Sequence, residues 1–442
     1  MSVKVVPERT QVAIVGLGYV GLPTAIAFHE AGFTVRGIDV SERVIQHLER
    51  GIPPFVDEGV DISIPSESHS WGVSSDFSSV IPDSDIVLIT VPTPVNSNNT
   101  PDLSFVVSAS RSVLGSINRE KNTIVVLEST VYPGVTREEL GKICEQLDIR
   151  LGEDVEIAYS PERINPGDPK HSASSVDRIV GCDDPEIGQY LANVYSRITS
   201  ATSSYVGPIE VAEAAKLIEN VQRDIDIAFV NELATVLPLM GLDVEQVLSA
   251  ASTKWNFHRH TPGIGVGGHC IPVDPYYYSA LAEKLGKPSQ LSPIARVINE
   301  GMPSFSARSI THILGEKPSP RVLLLGFSYK PNTGDIRETP VKDLSKTLSD
   351  SGCDVFVWDP HVEADLLPGW VTPLSHPSGI SDIDIMVVST AHDECIGLDW
   401  GAISEICPSR TVFDGRRCLD PEEMKQKNCR YYGIGYPIGN SQ

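Results

Sequence analysis

Hydrophobic residues along this chain fall in short unbroken runs separated by longer mixed stretches. QVAIVG (11–16), FTVRGIDV (33–40), DIVLITVP (85–92) and TIVVLEST (123–130) are apolar nearly throughout and bounded by turn residues. A strand with one face in water alternates, whereas continuous runs fit strands covered on both faces in a parallel sheet. Helical patterning fills the interval from the first run to about residue 31, and this alternation predicts a doubly wound α/β domain. From Pro208 to about Gly241 the period becomes that of one long helix, with Pro208 in its first turn, Pro238 ending or kinking its last and Gly241 at its stop. A second set of runs, RVLLLG (321–326), DVFVWDP (354–360), DIMVVST (384–390) and TVFDG (411–415), echoes the first. The Ser- and Pro-containing stretch 61–79 reads as a surface loop.

At 442 residues the chain exceeds the roughly 250–300 that one core supports. The expected boundaries are 1–207, 208–310 and 311–442. The predicted fold is α/β, with two Rossmann-like doubly wound domains joined by a long central helix and a small all-helical middle domain. Net charge is -23, the wrong sign for holding a polyanion, so no nucleic-acid partner is expected. An anionic small substrate would need a local cluster of cations. The opening MSVKVVPERT is short and polar, and no apolar run approaches the ~18–20 residues of a membrane span, so neither a signal peptide nor a membrane partner is expected. Eight cysteines are scattered without a CxxC pair, which points to reduced thiols in the cytoplasm, no disulfide framework and no metal site.

Gly16-Leu17-Gly18-Tyr19-Val20-Gly21 is a GxGxxG sequence between a strand and a helix. A lone match is weak, but this position is the one its mechanism needs: glycines let the backbone turn tightly and approach a pyrophosphate at the helix N-terminus. Asp39 closes the next strand, near the ~20-residue spacing of an acid that grips a ribose 2′-hydroxyl. That carboxylate favours NAD over NADP, and Arg43 is the nearby cation that leaves NADP open.

Gly265-Val266-Gly267-Gly268-His269-Cys270 precedes Ile271-Pro272-Val273-Asp274. An isolated cysteine is usually buried and inert. Three glycines before it let backbone and thiol approach a ligand closely, and Asp274 is placed to orient water or share protons. NAD with a nucleophilic thiol has a specific meaning. An alcohol reaches the aldehyde without covalent help, but reaching the acid needs a tetrahedral carbon, which thiolate addition supplies. His269 is read as structural, because neighbouring side chains usually point apart.

Lys216, Asn220 and Arg223 fall at i, i+4 and i+7 and share one face of the long helix. Such a stripe is most often a solvated face. This helix joins two domains, where clefts form, so the lysine is a candidate to hold an oxyanion or act as a base, and the asparagine to hold water or a sugar hydroxyl.

With these features assembled, the chain resembles the UDP-glucose/GDP-mannose dehydrogenase family over nearly its whole length. The resemblance is carried by VGLGYVGLP (15–23), VPTP (91–94), LESTVYPGVT (127–136), YSPERINPGD (159–168), EAAKLIENVQRDIDIAFVNE (213–232), GVGGHCIPVDPYYY (265–278) and GFSYKPNTGDIRET (326–339). SPERINPGD, STKWNF (252–257) and the histidine before the cysteine are similar to the branch that oxidises UDP-N-acetylhexosamines.

The resemblance implies a UDP-sugar substrate, a homodimer and a place in polysaccharide or glycan synthesis. It implies Cys270 as nucleophile, Lys216 at the oxyanion or in acid–base work, Asn220 and Asp274 positioning water, and Glu162 assisting thioester hydrolysis. Thr130 would lie near the nicotinamide, Thr93 against the cofactor, and Arg337 would reach the NAD. Arg163, Ile164, Arg223 and Gly267 would contact the nucleotide sugar, and Tyr329 and Lys330 the uridine diphosphate. Lys330 and Arg337 follow a strand's carboxyl end, where cations supply the field a diphosphate needs.

Lys254, a further substrate-binding candidate, and Asn256 stand where the mannosamine branch has His and Arg. That departure favours UDP-N-acetylglucosamine or UDP-N-acetylgalactosamine over UDP-N-acetylmannosamine. UDP-glucose is the other enzymatic alternative. A non-catalytic regulator is the alternative of another class, and retention of Cys270, Lys216, Asn220 and Asp274 together speaks against it.

Overall fold

The computed structural model describes residues 5–55, 62–96, 98–164, 171–268, 270–402 and 406–437. The first sheet contains β1 (Gln11–Val15), β2 (Thr34–Ile38), β3 (Trp71–Ser74), β4 (Ile86–Ile89), β5 (Thr123–Leu127), β6 (Val155–Tyr159), β7 (Arg178–Cys182) and β8 (Ser203–Gly207). Their order is β3-β2-β1-β4-β5-β6-β7-β8. All neighbours are parallel except β6 and β7. The second sheet is parallel throughout: β9 (Arg321–Leu325), β10 (Asp354–Trp358), β11 (Thr372–Pro373), β12 (Ile385–Val388), β13 (Thr411–Asp414) and β14 (Arg430–Gly433), ordered β11-β10-β9-β12-β13-β14.

The apolar runs have a direct physical cause. Val12 and Ile14 of β1, with Ile86 and Leu88 of β4, enter one core, while Ala13, Val15, Val87 and Ile89 enter another on the opposite face. The second sheet repeats this, Val322 and Leu324 facing one core and Leu323 and Leu325 the other. A strand with both faces buried keeps no polar position. The chain reverses its direction of winding between β1 and β4, and again between β9 and β12, which creates the crevice where such sheets take ligands.

The stretch 61–79 is not wholly a loop: it contains β3 and a helical turn, Phe77–Val80. β3 is an edge strand that buries only Trp71, so it leaves no apolar run to read. The long helix spans Ile209–Val236, and Pro238 falls in a 3-10 turn, Leu237–Met240, closed by Gly241 at φ 75°. By contacts the chain forms two compact units, Met1–Glu219 with Tyr276–Pro288, and Asn220–Pro275 with Ser289–Gln442. Ile209 and Ala212 of the long helix pack into the first unit's core, and Val230 and Ala234 into the second's. No single described helix is long and apolar enough to cross a membrane.

Candidate active site

In the first unit the three turn glycines have distinct jobs. Gly16 holds φ +95°, and a Cβ there would lie 3.0 Å from the Thr90 carbonyl. A Cβ on Gly21 would sit 1.9 Å from the Gly16 carbonyl, so only glycine lets the helix Gly21–Glu30 begin against the turn. Gly18 faces open space. That leaves bare backbone for a pyrophosphate at the helix N-terminus, and the residues fit a dinucleotide. Tyr19 stacks on Phe55, and Val20 is the last residue before the helix. Asp39 accepts Leu17 N at 2.8 Å and Ser41 N at 2.9 Å, bracing the turn with lone pairs to spare for a ribose. Arg43 is exposed in the following helix.

Thr93 and Thr130, both half-buried, follow β4 and β5. The Ser129 hydroxyl joins their loops through the Val91 carbonyl at 2.7 Å. Glu213, fully buried on the long helix, accepts Gly134 N (2.6 Å), Thr136 N (2.9 Å) and Thr136 Oγ1 (2.6 Å), fixing the segment beyond Thr130. Burial pushes its carboxyl up.

Glu162 is buried just after β6 and accepts the amides of Arg163 (2.6 Å) and Ile164 (2.5 Å). Ile164 packs against the first core, and Arg163 pairs with Glu219. Beneath Glu162 lies Arg178, fully buried, 3.3 Å from Glu162 Oε2 and 3.6 Å from Glu128 Oε1. The Tyr195 hydroxyl donates to Glu128 at 2.6 Å. Burial raises the Glu128 carboxyl to about 7, with Arg178 opposing. Lys216, also buried, belongs to this unit.

In the second unit Cys270 is exposed, and its carbonyl accepts Val273 N (3.1 Å) and Asp274 N (2.9 Å). It thereby opens the turn leading into the helix Asp274–Lys284. Asp274 is buried and accepts Asn220 Nδ2 at 2.5 Å. His269 lies outside the described residues. A Cβ on Gly267 would lie 2.5 Å from Tyr329 Cβ, and one on Gly268 2.8 Å from Tyr329 Cε2, so the glycines let this loop lie directly on Tyr329.

Tyr329 and Lys330 are half-buried in the turn after β9. Arg337 is held within its own loop by Asp335, with Nε 2.8 Å and 3.0 Å from the two carboxylate oxygens. On the long helix, exposure grades from buried Lys216 through half-buried Asn220 to exposed Arg223. Lys254 is exposed beside Trp255, itself 91% exposed. Thus Asn220, Cys270 and Asp274 are grouped in one unit, Gly267 and Tyr329 likewise, while Lys216, Glu162, Thr130 and the dinucleotide turn belong to the other.

Sequence reading missed the buried charges. Arg416, after β13, donates to the Ser389 carbonyl at 2.7 Å and reaches the Gly265 carbonyl at 3.5 Å, and burial brings it down to about 10. Asp224, one turn beyond Asn220, binds Arg296 at 2.8 Å and Asn299 at 2.7 Å. The available signals were a charged DGRR directly after an apolar strand, and an acid continuing the Lys216–Asn220 spacing.

Three models of the UDP-glucose/GDP-mannose dehydrogenase family match in succession: the NAD binding domain at residues 10–199, the central domain at 210–301 and the UDP binding domain at 323–421. The chain is similar to the UDP-N-acetyl-D-glucosamine 6-dehydrogenase of Pseudomonas aeruginosa, at 38% identity over 421 residues, 93% of this chain and 98% of that protein. It is also similar to the enzyme of that name from Salmonella typhi, at 37% over 397 residues, covering 88% and 91%. Its fold is similar to that of the solved UDP-D-ManNAc dehydrogenase from Pyrococcus horikoshii, with TM-score 0.84 and 29% identity over 96% of this chain and 99% of that one. The chain belongs to the UDP-glucose/GDP-mannose dehydrogenase family and is an NAD-dependent UDP-sugar dehydrogenase, an oxidoreductase acting on a CH–OH group.

Proposed function

We propose that the enzyme oxidises the C6 alcohol of UDP-N-acetylglucosamine or UDP-N-acetylgalactosamine to the carboxylate, through a covalent adduct on Cys270. The observation that carries this reading is an exposed thiol whose own carbonyl accepts the amide of the buried Asp274, the carboxylate that in turn accepts Asn220 of the long helix.

NAD, when bound at the Gly16–Gly21 turn, supplies the hydride acceptor for both oxidations. After the first, the Cys270 thiolate adds to the C6 aldehyde and gives a thiohemiacetal, whose carbon again carries a hydrogen. Loss of that hydride leaves a thioester, and attack by water releases the carboxylate and restores the thiolate. One alcohol, one water and two NAD+ become one carboxylate, two NADH and three protons. Asp274, fixed by Asn220, orients water; Lys216 stabilises the oxyanion; Glu162, held by the amides of Arg163 and Ile164 and by Arg178, serves hydrolysis. Tyr329, Lys330 and Arg416 offer a half-buried aromatic ring and cations for the uridine diphosphate.

The acetamido-gluco preference is supported by the two relatives at 38% and 37% identity, and Lys254 and Asn256 favour gluco or galacto over manno. The fold likeness to the mannosamine enzyme favours UDP-N-acetylmannosamine as the second reading. Comparing kcat/KM across UDP-N-acetylglucosamine, -galactosamine, -mannosamine and UDP-glucose tests the assignment. One of the first two should lead by about tenfold or more, the discrimination a single misplaced hydroxyl supplies; a lead for the mannosamine sugar or UDP-glucose contradicts it. The middle helices expose Phe229, Leu239, Met240, Ile294 and Val297, and a second copy of the chain is the proposed cover for this apolar surface.

A further inference from the structure

The two sheets share one turn geometry at equivalent positions. Val15 pairs with Ile38 and Ile89, and Leu325 with Trp358 and Val388, so Gly326 corresponds to Gly16, Asp359 to Asp39 and His392 to Thr93. Gly326 holds φ +90° as Gly16 holds +95°. Asp359 accepts Phe327 N at 2.6 Å and His361 N at 2.8 Å, just as Asp39 accepts Leu17 N and Ser41 N. The second domain departs from the first at His392, a fully buried ring where the first has a small hydroxyl side chain.

Both ring nitrogens of His392 are committed. Nδ1 accepts the Asn332 amide at 2.9 Å, so the proton of the neutral ring sits on Nε2. Nε2 faces Asp359 Oδ2 at 3.1 Å and Ser328 Oγ at 3.2 Å, and Ser328 Oγ in turn donates to the Lys330 carbonyl at 2.9 Å. The ligand atoms of His361, His392 and Glu394 lie within 4.8 Å of one another, but a ring already bonded at both nitrogens serves the loop rather than an ion. His392 thus holds residue 328 at one end of a short turn and residue 332 at the other, with Tyr329 and Lys330 between. Tyr329 is also the surface on which Gly267 and Gly268, before Cys270, are laid.

We propose that His392 is a positioning residue for substrate: it fixes the 327–332 turn so that Tyr329 and Lys330 receive the uridine diphosphate while Tyr329 supports the cysteine loop. This rests on reading that turn as part of the UDP-sugar site.

The test is calorimetric titration of the full-length enzyme with UDP and separately with NAD, in wild type, His392→Ala and His392→Asn, alongside KM and kcat for the UDP-sugar. Asparagine can still accept the Asn332 amide but cannot reach Ser328. UDP affinity should fall roughly tenfold or more in the alanine variant, which loses all three buried contacts of the ring, and less in the asparagine variant, which keeps the one to Asn332. NAD affinity should stay within about twofold, and KM should rise more than kcat falls. If the alanine variant does not fold, a UDP loss of at least about threefold in the asparagine variant carries the proposal. Unchanged UDP affinity in the folded variants, or UDP and NAD affinity falling together, overturns it. A wild type that binds no UDP overturns the reading of the turn itself, and the inference with it.

Discussion

A thiol works as a nucleophile only where substrate can reach it and its thiolate is stabilised. Burial pushes Cys144 and Cys182 up to about 11 and Cys395 to about 12, which makes them inert at neutral pH. Cys270, by contrast, is exposed in the turn that precedes the helix Asp274–Lys284. Cys270→Ala should lower turnover at least about a thousandfold, the scale expected when a covalent nucleophile is lost. NAD affinity should be retained, because the dinucleotide turn belongs to the other compact unit. Following NADH absorbance and NAD binding on the same preparation checks this; acid made at the normal rate would place the nucleophile elsewhere. Cys270 and Asp274 stand out as candidates in the sequence because glycines and spacing mark them locally. The Asn220–Asp274 bond does not, since 54 positions separate its ends and neither residue shows periodicity toward the other. Arg178, Glu128 and Glu213 went unread for another reason: a charged residue in a sequence looks solvated until the fold supplies its partner.

Those buried charges act between elements. Arg178 on β7, Glu128 directly after β5, Glu162 after β6 and Tyr195 at the end of the helix Pro185–Tyr195 form one buried network. Burial raises the Glu128 carboxyl from 4.5 to about 7, so between those values the folded chain holds a proton that the unfolded chain has released. Stability from this group is complete below about 4.5 and is lost as pH rises through about 7. Glu128→Gln should therefore flatten the fall in Tm between pH 5 and pH 8, as read by scanning fluorimetry; a slope equal to that of wild type would show that Glu128 ionises normally. Legibility among the strands follows burial in the same way. β4, β5, β12 and β13 are buried throughout and stand out as apolar runs. β3 and β8 are edge strands with mostly half-buried positions, and they leave no such trace.

At the scale of the whole molecule, one doubly wound pattern is used twice, once with the GxGxxG turn and once without it, and the long helix contributes to both cores. The repeat was legible in the apolar runs; the matching Asp39 and Asp359 turns were not, because their bonds run to backbone amides that no side-chain pattern records. The exposed Leu239 and Met240, at 86% and 69%, make a second test possible. Light scattering should give a dimer for wild type and a shift toward monomer when both are replaced by Asp, since burying two unpaired carboxylates costs several kcal/mol; a monomeric wild type would refute the proposed cover. The most direct test of the account is electron stoichiometry. With limiting UDP-N-acetylglucosamine or UDP-N-acetylgalactosamine and excess NAD, the thiol route requires two NADH for each sugar consumed. A yield of one NADH per sugar, with aldehyde as the product, would contradict it.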